Sequence, residues 1–284
     1  MEEFKSFYKT VASGEGDRCR YPTRLDTYGC GCQHDCKYCY AKSLLLFRKM
    51  WNPTQPKSAD IKAIRKKIAH IDPNDEATRA IRLGGMTDCF MPIEKERRVT
   101  YETIKALNER RIPYLIVTKS SMVADPEYIE VMDKSLAHIQ VTVTTFNDDL
   151  SASYEKASPP SQRINAIETL EREGFDVTFR LSPYIPDFFD IDKLVYVKCR
   201  KVLVEFLRVN TWIRKWFPIN YGDYTLESGG YRHLPLGMKA SILNKMMEKM
   251  PDKVFTVCED EPIAYKYWKQ YVNPNPYDCC NLRM

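Results

Sequence analysis

The 284-residue chain has no apolar run near the roughly 20 residues that span a bilayer. Its opening, MEEFKSFYKT, puts two acids near the start and has no uninterrupted apolar stretch, so it does not read as a signal peptide. A cytoplasmic location and no membrane partner are the expectations. Also missing are a short-period repeat, a low-complexity tract and a clear linker, which makes one domain the default at a length ordinary for an α/β barrel. Hydrophobic residues make up 44% and charged residues 29%, with mean hydropathy −0.46, the balance of a globular chain. Net charge +5 permits a polyanionic substrate without requiring one.

What is present is sulfur, unevenly spread. Of ten cysteines, Cys19, Cys30, Cys32, Cys36 and Cys39 fall near the start and Cys258, Cys279 and Cys280 near the end, with Cys89 and Cys199 between. In a reducing compartment these read as metal ligands or core thiols rather than a disulfide framework.

Through the middle, β-branched runs alternate with helical patterns, the signature of βα units around a parallel sheet. Strands are expected at 24–29, 80–84, 114–118, 138–145, 176–181, 201–209 and 254–258. Helices are expected in SADIKAIRKKIAHI after a Ser58 cap, in TYETIKALNERR, in DPEYIEVMDKS and in SQRINAIETLEREG, which Gly174 closes. Six or so such repeats form a full or partial barrel with its site at the C-terminal strand ends. The segment 210–237, rich in aromatics, glycine and proline, breaks the alternation and reads as a functional loop or a small hairpin. The division expected is an N-terminal segment at 1–22, a barrel core at 23–209, and at 210–284 an aromatic loop and a strand-helix cap in the same domain.

YGCGCQHDCKYCYAK, Tyr28 to Lys42, carries the chemistry. Cys32, Cys36 and Cys39 are spaced C-x3-C-x2-C directly after an expected strand. A fully protein-ligated four-iron cluster takes four cysteines, so three on one loop leave an iron open to an outside ligand. The same thiols with His34 or Cys30 also suit a tetrahedral zinc site in a nucleic-acid-binding protein, though structural zinc usually pairs two knuckles on separate hairpins.

Cys32, Cys36 and Cys39, with Tyr38 before the last of them, resemble the cluster loop of the radical S-adenosylmethionine (SAM) family. Within it, Gly84, Thr87, Asp88, Pro92, Glu94, Thr118 and Lys119 look like the G-x-x-TD-x-x-x-P-x-E segment and following TK of the spore photoproduct lyase group. The resemblance implies a partial (β/α)6-type barrel with a C-terminal extension, and a 4Fe–4S cluster on Cys32, Cys36 and Cys39. It further implies that SAM is cleaved reductively to a 5′-deoxyadenosyl radical and that a flavodoxin- or ferredoxin-type protein supplies the electron. Tyr38 would lie near the adenine, Thr87 and Asp88 near the methionyl part, and Lys119 at its carboxylate, while Thr144 and Arg180 would point into the same mouth. The implied substrate is a pyrimidine base or nucleoside, in DNA, for lesion repair or rearrangement of a modified base; a small molecule or peptide stays open.

One departure stands out. Spore photoproduct lyase has a hydrogen-donating cysteine just upstream of the acidic residue, where this chain has Gly85. Cys89 from the other side of the loop, or Tyr40, would have to replace it. A second metal site is possible where Cys258, Cys279 and Cys280 meet Cys19 or Cys30, although the adjacent pair is awkward for one small cluster. Trp212, Trp216, Tyr221 and Tyr224, interleaved with Arg208, Arg214 and Lys215, suit unstacked bases or else simply cover the barrel end.

Overall fold

In the computed structural model, which describes residues 4–10, 19–72, 74–259 and 261–282, twelve strands are present among the described residues. They are β1 Phe7–Lys9, β2 Thr23–Leu25, β3 Tyr28–Gly29, β4 Lys57–Ser58, β5 Ile81–Leu83, β6 Tyr114–Thr118, β7 Ala137–Thr142, β8 Asp176–Tyr184, β9 Lys201–Phe206, β10 Leu226–Ser228, β11 Tyr231–His233 and β12 Val254–Val257. Eight of them form one sheet in the order β1-β2-β5-β6-β7-β8-β9-β12. β1 runs antiparallel to β2, and every other neighbouring pair is parallel. This is an α/β fold of the partial-barrel type. Parallel strands covered on their faces read as nearly continuous apolar runs, and β7 is buried at every position.

The helices fall where apolar side chains recur at 3.6-residue spacing. Ile64 and Ile68 bury one face of Ile61–Ala69, but its cap is Asp60, whose carboxylate accepts from Lys62 N. Ser58 is instead paired with Tyr28 in the β3–β4 ladder, so the expected Ser58 cap is corrected. Helices Val99–Glu109, Pro126–Val131 and Pro160–Arg172 occupy the other expected places. Gly174, at φ +84°, follows the last as its C′ residue.

The segment 210–237 is neither a plain loop nor only a hairpin: it holds the short helix Thr211–Trp216 and the β10–β11 hairpin. Ile213, Phe217 and Tyr224 are buried, and Phe217 packs on Tyr38 with ring centroids 5.8 Å apart. Of the N-terminal segment, residues 1–3 and 11–18 lie outside those described. Its β1 extends the main sheet. Among the described residues, no helix is long and apolar enough to cross a membrane.

Candidate active site

The C-terminal ends of the parallel strands open into a cavity of about 180 Å³. Segments after β2, β5, β6, β9 and β12 reach it, together with the ends of β7 and β8, as expected of a barrel site. Cys32, Cys36 and Cys39 line it together. Two tight turns, Asp35 N to Cys32 O at 3.1 Å and Cys39 N to Cys36 O at 3.2 Å, hold the loop. Lys37 N to Tyr154 O at 2.8 Å and Lys156 N to His34 O at 2.7 Å fasten it to the segment after β7.

Beneath the loop lies a buried polar network. Glu155 accepts from Tyr38 Oη and from Arg163, and the Cys36 thiol lies 3.8 Å from its Oε2. Arg163 is fully buried and also donates to Thr142 O at 2.9 Å and Ser151 Oγ at 3.2 Å. Burial pushes the Glu155 carboxyl up, but the Arg163 and Lys119 charges outweigh it and hold the group at about 2. Neither residue stood out in the sequence. Arg163 carried a signal, because it shares a helical stripe with Ile167 and Leu170, where a cation demands a buried partner.

Among the other expected site residues, Tyr38, Tyr40, Thr87, Asp88, Lys119 and Arg180 line the cavity. Lys119 Nζ donates to Ser182 O at 3.0 Å and stands 5.4 Å from the Tyr38 ring centre. Asp88 holds the loops: its oxygens accept from Thr118 Oγ1 at 2.7 Å, Lys119 N at 2.7 Å and Phe90 N at 2.8 Å. Burial raises the Asp88 carboxyl, and His34 with these hydrogen bonds brings it below its ordinary value. Arg180 is paired with Glu205 and donates to Gln140 Oε1 at 2.7 Å.

Two expectations are corrected. Thr144 does not line the cavity; its hydroxyl meets Tyr154 Oη at 2.8 Å, and Thr142 faces the cavity instead. The strand ends at Thr142, so the alternation that would have turned Thr144 inward no longer operates. Cys89 is also absent from the wall. With Asp88 pinned to the end of β6, the next residue goes the opposite way, into the core beside Phe90 and Met91.

Gly85 has a steric cause. A Cβ there would come 2.3 Å from Tyr8 Oη and 3.3 Å from Asp26 Oδ1, and Tyr8 Oη itself donates to Asp26 Oδ2 at 2.9 Å. Asp26 Oδ1 also accepts from Gly85 N at 2.7 Å. Gly84, at φ +83°, is fixed by the Val117 carbonyl, 2.8 Å from its ideal Cβ. A side chain at 85 therefore meets the hydroxyl of a tyrosine distant in sequence, which would have to shift. Gly85→Ala should cost about 1–3 kcal/mol. The same change made in a Tyr8→Phe background should cost less, and thermal unfolding of the two pairs checks it, with equal losses arguing against the clash.

The donor set fits an iron–sulfur cluster. Three soft thiols share one cavity, and burial, then the Asp88 charge, pushes Cys32 up to about 12, while burial also raises Cys36 and Cys39. Such thiols keep their protons until a metal replaces them. Both His34 ring nitrogens are buried without an aligned hydrogen bond, although Nε2 lies 3.2 Å from Asp88 Oδ2. Among the described residues, no group of three or more His, Cys, Asp or Glu closes on a single ion; the thiolates of a cluster bind separate irons and need not meet at a point.

A parallel α/β partial barrel whose strand ends carry a three-cysteine loop defines an enzyme class that joins an iron–sulfur cluster to an outside ligand. The model of the Radical SAM superfamily matches residues 27–194, and the chain belongs to that superfamily, whose members use a 4Fe–4S cluster and SAM. An uncharacterized protein of Methanocaldococcus jannaschii is 29% identical over 170 residues, 58% of this chain; the chain covers 61% of that relative's length. Spore photoproduct lyase complexed with dinucleoside spore photoproduct has a similar fold, at TM-score 0.61 and 13% identity over 84% of this chain and 76% of that one. SuiB of Streptococcus suis bound to a precursor peptide gives TM-score 0.55 and 11% identity over 86% and 50%.

Proposed function

We propose that the enzyme acts on a pyrimidine base or nucleoside carried in nucleic acid, by lesion repair or rearrangement of a modified base. The observation that carries this reading is Arg208. Its guanidinium stands on the cavity wall between two rings, 4.5 Å from the Tyr40 centroid and 5.3 Å from that of Tyr231. Interleaved cations and aromatic planes suit an extruded base and its phosphates. Beyond them, Trp212 and Trp216 stack at 5.8 Å, with Trp212 half exposed and Lys42 5.2 Å from the Trp216 ring.

Cys32, Cys36 and Cys39 are the proposed cluster ligands, and Lys119 the cation for a carboxylate in the cavity. When bound, the cluster and SAM supply the electron and the 5′-deoxyadenosyl radical. This chain's own residues do the rest. Asp88 holds the β5 and β6 loops in register, Tyr38 bridges the cysteine loop to Glu155, and the rings of Tyr40 and Tyr231 brace Arg208. With Cys89 in the core, Tyr40 is the proposed hydrogen donor, and a flavodoxin- or ferredoxin-type protein the proposed reductant.

The test is stimulation of SAM cleavage. Thymidine-containing oligonucleotide should raise 5′-deoxyadenosine formation by anaerobic, dithionite-reduced protein, and the effect should fade steeply with salt. Stimulation by peptides alone, or no salt response, would move the substrate class elsewhere.

A further inference from the structure

A second cavity, of about 50 Å³, lies against the first and shares Arg82, Glu205, Phe206, Arg208 and Cys258 with it. Four cysteines line it: Cys19, Cys258, Cys279 and Cys280. They come from the N-terminal segment, the end of β12 and the C-terminal tail, and none is in a disulfide. Cys19, Cys258 and Cys279 pack against the small apolar cluster that contains Cys280, and Cys19 lies within electrostatic range of Cys280 and Cys258.

The tail is built into this position. Buried Asp278 accepts from Tyr21 Oη at 2.7 Å, which ties the tail to the segment carrying Cys19. It also accepts from Cys280 N at 3.0 Å and Leu282 N at 3.3 Å, and Asn281 follows in the left-handed region at φ +49°. This turn lets both members of the adjacent pair face the cavity. The carboxylates on the wall, Glu205 and Glu259, are already paired, with Arg180 and Lys239. Arg82 and Arg208 line the wall, and Arg180, buried, lies within electrostatic range of Cys258, Cys279 and Cys280.

The geometry points to a second iron–sulfur cluster held by Cys19, Cys258, Cys279 and Cys280, one wall away from the radical cavity. Thiolates that bind metal carry negative charge into a buried place, and adjacent arginines compensate it. The spacing of the thiols favours one kind of occupant. Four sulfurs on one zinc all lie about 2.3 Å from it, but among the described residues no group of three or more His, Cys, Asp or Glu closes on a single ion, whereas the thiolates of a cluster bind separate irons around a space such as the cavity these four line. A polyatomic core of iron and sulfide fills such a space. This site is independent of which substrate the enzyme takes.

The test uses the full chain reconstituted anaerobically with iron and sulfide. Cys32→Ala, Cys36→Ala and Cys39→Ala together should abolish SAM cleavage yet leave a brown protein with about half of the wild-type iron and sulfide. Adding Cys258→Ser and Cys279→Ser should remove the remainder. Should the triple variant not fold, Cys258→Ser with Cys279→Ser in the otherwise native chain should lower iron and sulfide by the same amount. An iron-free triple variant, unchanged iron in the double variant, zinc at these cysteines, or a Cys258–Cys279 disulfide in the reconstituted protein would each overturn the assignment. The readout needs no substrate, so it is unaffected if the pyrimidine reading fails.

Discussion

Replacing Cys36 with alanine should remove about four irons per chain and reduce SAM cleavage to background, and Cys32→Ala or Cys39→Ala should do the same. The three thiols line one cavity, and the loop that carries them is fixed by its own turns and by the segment after β7. Loss of one ligand therefore leaves two thiols that cannot move to compensate. Cys30 supplies the internal control. It lies in the same stretch but lines neither cavity, and its carbonyl accepts from Asn52 N at 2.7 Å. Cys30→Ser should keep cleavage. Iron analysis and 5′-deoxyadenosine formation check both halves, and equal loss in the Cys30 variant would mean that the loop itself, not ligation, had been disturbed.

Arg163→Leu should be the most damaging change outside the cysteine loop, at about 3–5 kcal/mol of stability, because it leaves a carboxylate buried and unpaired. Glu155 and Arg163 are both fully buried, and Glu155 also receives the Tyr38 hydroxyl beside the cysteines. The pH dependence follows from Glu155, whose carboxyl sits at about 2 against an ordinary 4.5. A depressed carboxyl contributes stability above its unfolded value and loses it as pH falls from about 4.5 toward about 2. The contribution lost is on the order of 3 kcal/mol. In Arg163→Leu the sign reverses: burial then favours the protonated acid, so acidification should lessen the deficit. Denaturant unfolding at neutral and acid pH checks this. A deficit that grows on acidification would contradict the pairing.

Much of the fold was legible because its signals are local. The β-branched runs at 114–118 and 201–206 and the stripe Ile64, Ile68 need no distant partner to be read. The cysteine loop was legible for the same reason, since spacing alone groups Cys32, Cys36 and Cys39. What escaped depends on contacts far apart in sequence. Gly85 lies against Tyr8, the Glu155 carboxylate is satisfied by Arg163, Tyr38 and Ser151, and the tail is tied to the segment of Cys19 by the Tyr21–Asp278 hydrogen bond. Thr144 and Cys89 were misplaced because parity along the chain stops being a guide where a strand ends or a side chain pins its loop.

In the reaction proposed above, a radical generated in this cavity takes hydrogen from a pyrimidine substrate. Incubation of the reduced enzyme with SAM and oligonucleotides bearing deuterated thymidine lesions or modified bases tests it most directly. Deuterium should appear in 5′-deoxyadenosine; 5′-deoxyadenosine formed at the same rate without deuterium would contradict the account.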